Sequence, residues 1–176
     1  MTDLAPVEAL NLANESDNVI PWSRVREQFT APSPPDRPGG YFPSYVITVR
    51  PDGRPHATGV GVRWYDGDLY FLSAPSNQKA QNLATNPACS IAVRLPDGLD
   101  VVFDGSAAPA NDIATEDAVA DLIRASGWPV ERIEGGFNAP FGPHGGGAAP
   151  WLIYRFVIRK AIGQGNDGSA RWRFDR

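Results

Sequence analysis

Short apolar runs separated by tight-turn sequences occupy most of the chain after residue 44. Runs rich in β-branched and aromatic residues predict seven strands, at 45–50, 55–65, 69–73, 88–95, 99–107, 151–162 and 170–174. Three connections have the composition of hairpin turns: Pro51-Asp52-Gly53, Asp66-Gly67 and Pro96-Asp97-Gly98. Because such turns join antiparallel neighbours, the pattern predicts a mainly β protein whose sheet closes, or nearly closes, into a barrel.

Apolar residues at helical spacing predict two to three short helices between the strands. The first starts near Pro21, the second covers 76–85 with Ser76 as its N-cap, and the third covers 112–126 and stops at Gly127. A serine hydroxyl at the N-cap accepts hydrogen bonds from the free amides of the first turn. The sequence thus combines an antiparallel sheet with a few short helices.

The chain shows no internal repeat and no linker that would divide it, so we expect residues 1–176 to form one domain. Residues 1–18 are expected to be a loose leader. Proline and glycine are dense at 31–41, which predicts an irregular connector. They are dense again at 134–150, which predicts a long loop, and long loops in compact domains are often functional or disordered.

The charge balance narrows the range of partners. With 16 basic and 20 acidic residues, the chain has a formal charge of −4 and a pI of about 5.1. This balance argues against nucleic acid or an anionic membrane as the main partner. No apolar stretch approaches the roughly 18 residues of a membrane span, and residues 1–18 lack the pattern of a signal peptide. The expected location is therefore the cytoplasm.

Cysteine and histidine are too scarce to suggest a metal site. Cys89 is the only cysteine, which excludes an internal disulfide, and its apolar neighbours indicate a buried core residue. His56 and His144 are the only histidines, and neither has a sequence context typical of a base or a ligand. The motifs of a serine nucleophile elbow, a Walker phosphate loop and a Rossmann fold are absent. We therefore expect no metal and assign no catalytic residue.

The start of the second predicted helix is a candidate anion site. Counted from Ser76, Lys79 occupies the third helical position. A cation there opposes the helix macrodipole, whose positive end lies at the N-terminus, unless an anion is bound nearby. Helix amides and a lysine together form a site for phosphate. The alternative is that Lys79 extends into solvent, and the spacing leaves both interpretations open.

A second candidate lies on the strand at 55–65. Gly59 and Gly61 weaken a strand interior, and glycine in such a place often marks a bulge or the close approach of a ligand. A planar ring lying against the strand would explain both glycines, and a twisted barrel strand that makes room for a neighbour would explain them equally. Arg63 is either a second charge for a phosphate or a solvated strand residue.

Three runs of sequence carry a family resemblance. They are RPDGRPHAT at 50–58, WYDGDLYFLS at 64–73 and SNQKAQNLATNP at 76–87. Together they resemble the pyridoxamine 5′-phosphate oxidase-like superfamily of FMN-binding split β-barrels. The closing ARWRF at 170–174 is similar to the C-terminal signature of its flavin/deazaflavin oxidoreductases, which use FMN or the deazaflavin F420. The resemblance covers residues 44–107 and the last strand.

The resemblance implies a split antiparallel β-barrel of six to seven strands, which forms a homodimer with the cofactor in a groove at the dimer interface. It implies that Lys79 binds the cofactor phosphate and that Ser73 stands at a phosphate-contacting hydroxyl position. Residues 58–61 would lie along the isoalloxazine ring. The implied cofactor-binding residues are Thr58, Gly59, Val60, Gly61, Arg63, Ser73, Ser76, Gln78, Lys79, Trp172 and Arg173.

The implied function is that of an oxidoreductase that binds FMN or F420 and transfers hydride to or from a small organic substrate. In such an enzyme the cofactor carries the hydride and the protein supplies position and electrostatics. Gln78 stands where many members have an arginine, which bears on the affinity for FMN phosphate. The substrate-binding C-terminal pattern of the oxidase itself is not recognisable, so pyridoxine phosphate oxidation is not expected. The alternative within the same fold is a non-catalytic carrier of flavin or haem.

Overall fold

A computed structural model of the protein describes residues 4–12, 19–31, 42–142 and 146–176. Ten strands and three helices lie within these ranges. In chain order they are β1 (Glu8–Asn11), α1 (Trp22–Thr30), β2 (Phe42–Val49), β3 (Pro55–Tyr65), β4 (Asp68–Ser73), α2 (Gln78–Thr85), β5 (Ala88–Arg94), β6 (Asp100–Pro109), α3 (Ile113–Ala125), β7 (Glu131–Ile133), β8 (Gly136–Asn138), β9 (Leu152–Gly165) and β10 (Gly168–Arg173).

Six strands close into an antiparallel barrel. Their order is β9-β4-β3-β2-β5-β6, and β6 pairs back with β9 to complete the ring. β10 and β1 extend the sheet beyond β9, while β7 and β8 form a separate hairpin. The prediction of a mainly β, antiparallel split barrel with short helices is confirmed.

The hairpin turns set the strand boundaries. Gly53 and Gly98 have φ values of +82° and +87°, a left-handed conformation that glycine adopts without steric penalty. These turns place Val49 opposite Pro55 and Arg94 opposite Asp100. Because a turn fixes the register of the strands that it joins, it also decides which side chains face the interior.

The barrel interior is filled by apolar side chains from alternate strand positions. Fully buried members include Leu69, Phe71, Ile91, Phe103, Phe156, Ile158 and Trp172. α1 adds Trp22, whose ring centroid lies 5.5 Å from that of Trp172 and whose Nε1 donates to the carbonyl oxygen of Leu4 at 2.8 Å. Burial of these aliphatic and aromatic surfaces is the main contribution to the stability of the fold.

β3 and β4 diverge after a short shared ladder. Residues 63–65 pair with residues 68–70, and from there β3 continues beside β2 while β4 continues beside β9. This divergence is the split in the barrel. Four residues separate the end of β4 from the start of α2, so the start of this helix lies next to the strand that leaves the split.

A second apolar cluster lies on the outer surface of the barrel. α3 packs Val119 and Ile123 against Tyr70 and Ile153, which alternate with the inward-facing residues of β4 and β9. Burial raises the pKa of the Tyr70 hydroxyl to about 12. Among the helices that the structure describes, none is both long enough and apolar enough to cross a membrane.

Two predictions for irregular segments are wrong in part. Within the expected loose leader, residues 8–11 form β1 and pair with β10. Within the expected long loop at 134–150, residues 136–138 form β8, because buried Phe137 bridges to Trp151 as well as pairing in the hairpin. Residues 13–18, residues 32–41 of the predicted connector and residues 143–145, which include His144, lie outside the described residues.

Candidate cofactor site

The start of α2 differs from the prediction in its cap. The N-cap is Asn77, α2 begins at Gln78, and Ser76 is an exposed residue before the helix. Within the described residues no side chain caps α2. Instead, Nδ2 of Asn77 donates to Oγ of Ser73 at 3.3 Å and to the carbonyl oxygen of Gly146 at 3.0 Å. The amides of the first turn are therefore left for another acceptor.

Lys79 is the second residue of α2 and is buried, with 8% of its surface exposed. Its predicted place as the third helical residue is therefore wrong by one, and the alternative of a solvent-exposed side chain is excluded. In the part of the chain that the structure describes, Nζ of Lys79 forms no hydrogen bond or ion pair. Burial lowers the pKa of Lys79 because the charged form is desolvated without compensation.

A buried hydrogen-bond network fixes α2 to the barrel beside Lys79. Nδ2 of Asn82 donates to Oγ1 of Thr48 at 2.8 Å, and Nε2 of Gln78 donates to Oδ1 of Asn82 at 2.8 Å. Lys79 and Asn82 are three residues apart and share one face of the helix. The face that carries Lys79 is therefore directed toward β2, where Thr48 lies.

His56 is brought to the same place, although no sequence motif had selected it. It lies directly opposite Thr48 in the β2–β3 ladder, and residues in opposite positions have side chains on one face of the sheet. Nδ1 of His56 is buried and has no hydrogen-bond partner among the described residues. Burial, Arg50 and Lys79, in that order, lower the pKa of His56. The only sequence signal for this arrangement is the turn at 51–53, which sets the register.

The predicted ring-binding residues divide between the two faces of β3. Side chains alternate between the two faces of a strand, and Thr58 and Val60 lie on the inner face together with His56. Val60 is part of the core. Gly59 and Gly61 are on the outer face. A Cβ added at Gly59 would meet nothing within 4 Å, so packing within the described chain does not demand glycine there.

Arg63 is not brought to the anion site. Its Nη2 donates to Oγ of Ser126 at 2.7 Å, at the C-terminal end of α3, and its Nη1 donates to the carbonyl oxygen of Val62 at 3.0 Å. At the rise of a β-strand, seven residues separate Arg63 from His56 by roughly 23 Å. Arg63 therefore joins β3 to α3 at the far end of the strand.

Ser73 lies near the start of α2 but its hydroxyl is already engaged. Oγ donates to the carbonyl oxygen of Ala74 at 3.2 Å and accepts from Asn77. The segment at 146–147 covers this junction closely, since a Cβ added at Gly147 would lie 2.8 Å from both Cβ of Ala74 and Oδ1 of Asn77. Trp151 holds the same segment by donating from Nε1 to the carbonyl oxygen of Gly147 at 3.1 Å.

The C-terminal pair is not brought to the anion site either. Trp172 is completely buried in the barrel core, and its Nε1 donates to the carbonyl oxygen of Ile20 at 3.1 Å. Arg173 is exposed and forms an ion pair with Glu8 at 3.4 Å. Trp172 therefore acts as a core residue, and Arg173 joins β10 to β1.

The residues that converge on the first turn of α2 fit a phosphate group. An ammonium that is partly desolvated and has no counter-ion is unfavourable, and free helix amides add partial positive charge beside it. A phosphate would accept hydrogen bonds from both kinds of donor. Gln78 lies in the same turn, but its amide is committed to Asn82.

Fold and site together define the class of protein. A closed six-stranded barrel, split between β3 and β4 and followed by a helix with a buried lysine, belongs to the pyridoxamine 5′-phosphate oxidase-like split barrels. Residues 44–137, more than half of the chain, match the sequence model described as pyridoxamine 5′-phosphate oxidase. The protein is therefore a member of the pyridoxamine 5′-phosphate oxidase family, as the resemblance indicated. No match was found among curated proteins.

Three solved structures show the same fold. An F420 reductase is 21% identical, with 68% of this chain and 88% of that chain covered and a TM-score of 0.50. A pyridoxamine 5′-phosphate oxidase-related, FMN-binding protein from Nostoc punctiforme is 18% identical, with 76% and 80% covered and a TM-score of 0.51. A haem-binding protein from Mycobacterium smegmatis is 14% identical, with 84% and 55% covered and a TM-score of 0.59. At these identities the likeness concerns the fold alone.

Proposed function

We propose that this protein is an oxidoreductase that binds FMN or F420 and transfers hydride to or from a small organic substrate. The observation that carries the proposal is Lys79, a buried residue in the first turn of α2 whose ammonium has no acceptor among the described residues. Lys79 and the amides of residues 78–80 hold the cofactor phosphate. When bound, the cofactor supplies the hydride chemistry, and the protein supplies position and electrostatics.

The ring of the cofactor lies along the outer face of β3 and connects to the phosphate around the edge of this strand that no longer pairs with β4. Two features support this part of the proposal: the open space over Gly59, and the exposed aromatic side chain of Tyr45 directly opposite it on β2. A planar ring can approach a strand closely where no side chain intervenes. Val102 on β6 is a further exposed apolar residue. A second copy of the chain covers this face and completes the groove for the ring.

An absorbance titration tests the cofactor proposal. Purified protein is titrated with FMN and, separately, with F420, and a shifted band at about one cofactor per chain is the expected result for one of them. Lys79→Met should weaken cofactor binding about ten- to a hundredfold, because this is the loss of affinity expected when one charge-assisted hydrogen bond is removed. The matched control is Lys160→Met, because Lys160 is the only other lysine and pairs with Asp104 on the barrel surface.

The outcomes of this titration separate the candidate functions. Binding that is followed by reduction of an added electron acceptor supports an enzyme. Binding without turnover supports the alternative of a flavin carrier, and the next ligand to titrate is then haem. If neither FMN nor F420 binds, or if the two lysine variants weaken binding equally, the proposed site is wrong. A cytoplasmic location stays a prediction from the sequence.

A further inference from the structure

We propose that His56 is a second ligand of the anion at Lys79 and that it takes up a proton when the anion binds, which makes the affinity for the cofactor phosphate rise as the pH falls. This inference rests on the proposed anion site and adds to it a residue and a pH dependence. It is carried by the convergence of β2, β3 and α2 beside Thr48.

Two contacts and one helical spacing establish this convergence. Thr48 lies directly opposite His56 in the β2–β3 ladder and contacts its carbonyl oxygen through Oγ1 at 3.4 Å. The same hydroxyl accepts from Asn82 of α2 at 2.8 Å. Lys79 lies one helical turn before Asn82, on the same face. The side chains of His56 and Lys79 therefore approach the same space from β3 and from α2.

Both nitrogen atoms lack an acceptor in that space. Nδ1 of His56 is buried without a hydrogen-bond partner among the described residues, and the same residues supply no partner for Nζ of Lys79. A buried polar atom without a partner, such as Nδ1 of His56, is rare in folded proteins and often marks the place of a ligand, an ion or a water molecule. An anion bound between the two side chains would accept a hydrogen bond from each.

The charges around His56 determine the direction of the pH effect. The groups that act on it are Arg50, next to the end of β2, and Lys79 on α2, and no described carboxylate offsets them. Burial and this positive field keep the pKa of His56 below its usual value, so the imidazole is neutral near pH 7 in the free protein. A bound anion reverses the field, which favours the protonated imidazolium and its Nδ1–H donor. Binding of the anion therefore takes up a proton.

The first experiment follows His56 directly by proton NMR. The chain has only two histidines, so spectra of the wild type and of His56→Gln assign both imidazole signals. Titration between about pH 5 and pH 8, the range in which histidine ionises, is done with and without inorganic sulfate, which stays a dianion throughout. We expect sulfate to raise the pKa of His56. An unchanged pKa for His56 in a protein that binds sulfate would overturn the inference.

A second measurement links His56 to cofactor affinity. FMN is titrated at several pH values into the wild type, His56→Gln and Arg54→Gln. Arg54 is an exposed cation in the adjacent turn and pairs with Asp52, so it controls for a general loss of positive charge. As the pH falls, the affinity of the wild type and of Arg54→Gln for FMN should rise relative to that of His56→Gln. This relative rise should approach tenfold per pH unit, which is the limit for the uptake of one proton. A His56→Gln variant that keeps the wild-type pH dependence overturns the inference.

The two experiments distinguish the failure of this inference from the failure of the proposed function. If FMN binds while the pKa of His56 does not respond to FMN or sulfate, the cofactor site stands and the role of His56 is wrong. If sulfate raises the pKa of His56 while neither FMN nor F420 binds, the anion site stands and the cofactor proposal is wrong. If nothing binds and the pKa is unchanged, both are wrong.

Discussion

Thr48 and Asn82 form a 2.8 Å hydrogen bond between two side chains that have no solvent exposure. The bond joins β2 to α2, and Asn82 also accepts from Gln78 in the first turn of the helix. Since Lys79 shares a helix face with Asn82, this bond fixes the direction in which the lysine points. The geometry of the candidate site therefore depends on a contact between two residues that do not themselves carry charge.

Removal of the Thr48 hydroxyl should destabilise the protein. Thr48→Val preserves the shape of the side chain but leaves the buried Nδ2 of Asn82 without its acceptor, at a cost of about 1–3 kcal/mol in the free energy of unfolding. Urea denaturation monitored by tryptophan fluorescence measures the change. Thr30→Val, on the exposed end of α1, is the control and should change stability by less than about 0.5 kcal/mol. Equal effects of the two substitutions would contradict the assignment of the buried bond.

Lys79 should make the stability of the cofactor-free protein rise with pH. Its folded pKa lies below the usual value of 10.5, so the unfolded chain binds more protons between the folded pKa and 10.5. The free energy of unfolding therefore increases as the pH rises through this interval, because the buried ammonium loses its charge. Denaturation at a series of alkaline pH values should show this increase for the wild type relative to Lys79→Met. Lys160→Met should keep the pH dependence of the wild type. If both variants lose this pH dependence, the prediction is refuted.

The thiol of Cys89 should be inert in the folded protein. It is buried on β5, and burial raises its pKa from 9.0 to about 12. Because the thiolate is the reactive form, the thiolate fraction near neutral pH falls about a thousandfold. Reaction with a thiol reagent such as DTNB should be slow without denaturant and rapid in urea. Fast reaction of the native protein would show that Cys89 is accessible.

Gly147 should tolerate a side chain less well than Gly53, a glycine of similar positive φ. At φ +75°, Gly147→Ala incurs backbone strain of about 1–2 kcal/mol, and its Cβ would also lie 2.8 Å from Ala74 and Asn77. Gly53→Ala, at φ +82° with nothing within 4 Å, measures the strain alone. We expect Gly147→Ala to lower the free energy of unfolding by more than Gly53→Ala does. Equal losses would mean that residues 146–147 do not press on the junction between β4 and α2.

The sequence predicted the strands well where turns define them locally. β3 was predicted with its observed bounds because glycine-containing turns stand on both sides of it. β1 was missed, because its four residues have little strand character and pair with β10 at the other end of the chain. Local patterns contain no information about such distant pairing.

The candidate site was predicted in part, and for a similar reason. Lys79 stood out because a cation near the start of a helix conflicts with the macrodipole. His56 did not, because its significance depends on the cross-strand position of Thr48 and on the contact of Thr48 with Asn82. Ser76 was predicted as the N-cap from residue preference, whereas Asn77 takes that place and directs its amide to Ser73 and Gly146.

The pairing of β1 with β10 also bears on how the chain folds and opens. During synthesis β1 is made first, yet it has no partner strand until β10 has been made, so it joins the sheet late. With four residues and mostly exposed side chains, it is also held by few buried contacts, and a segment of this kind opens locally before the barrel does. Opening of β1 uncovers the edge of β10, and that edge is then free to recruit a strand from another molecule.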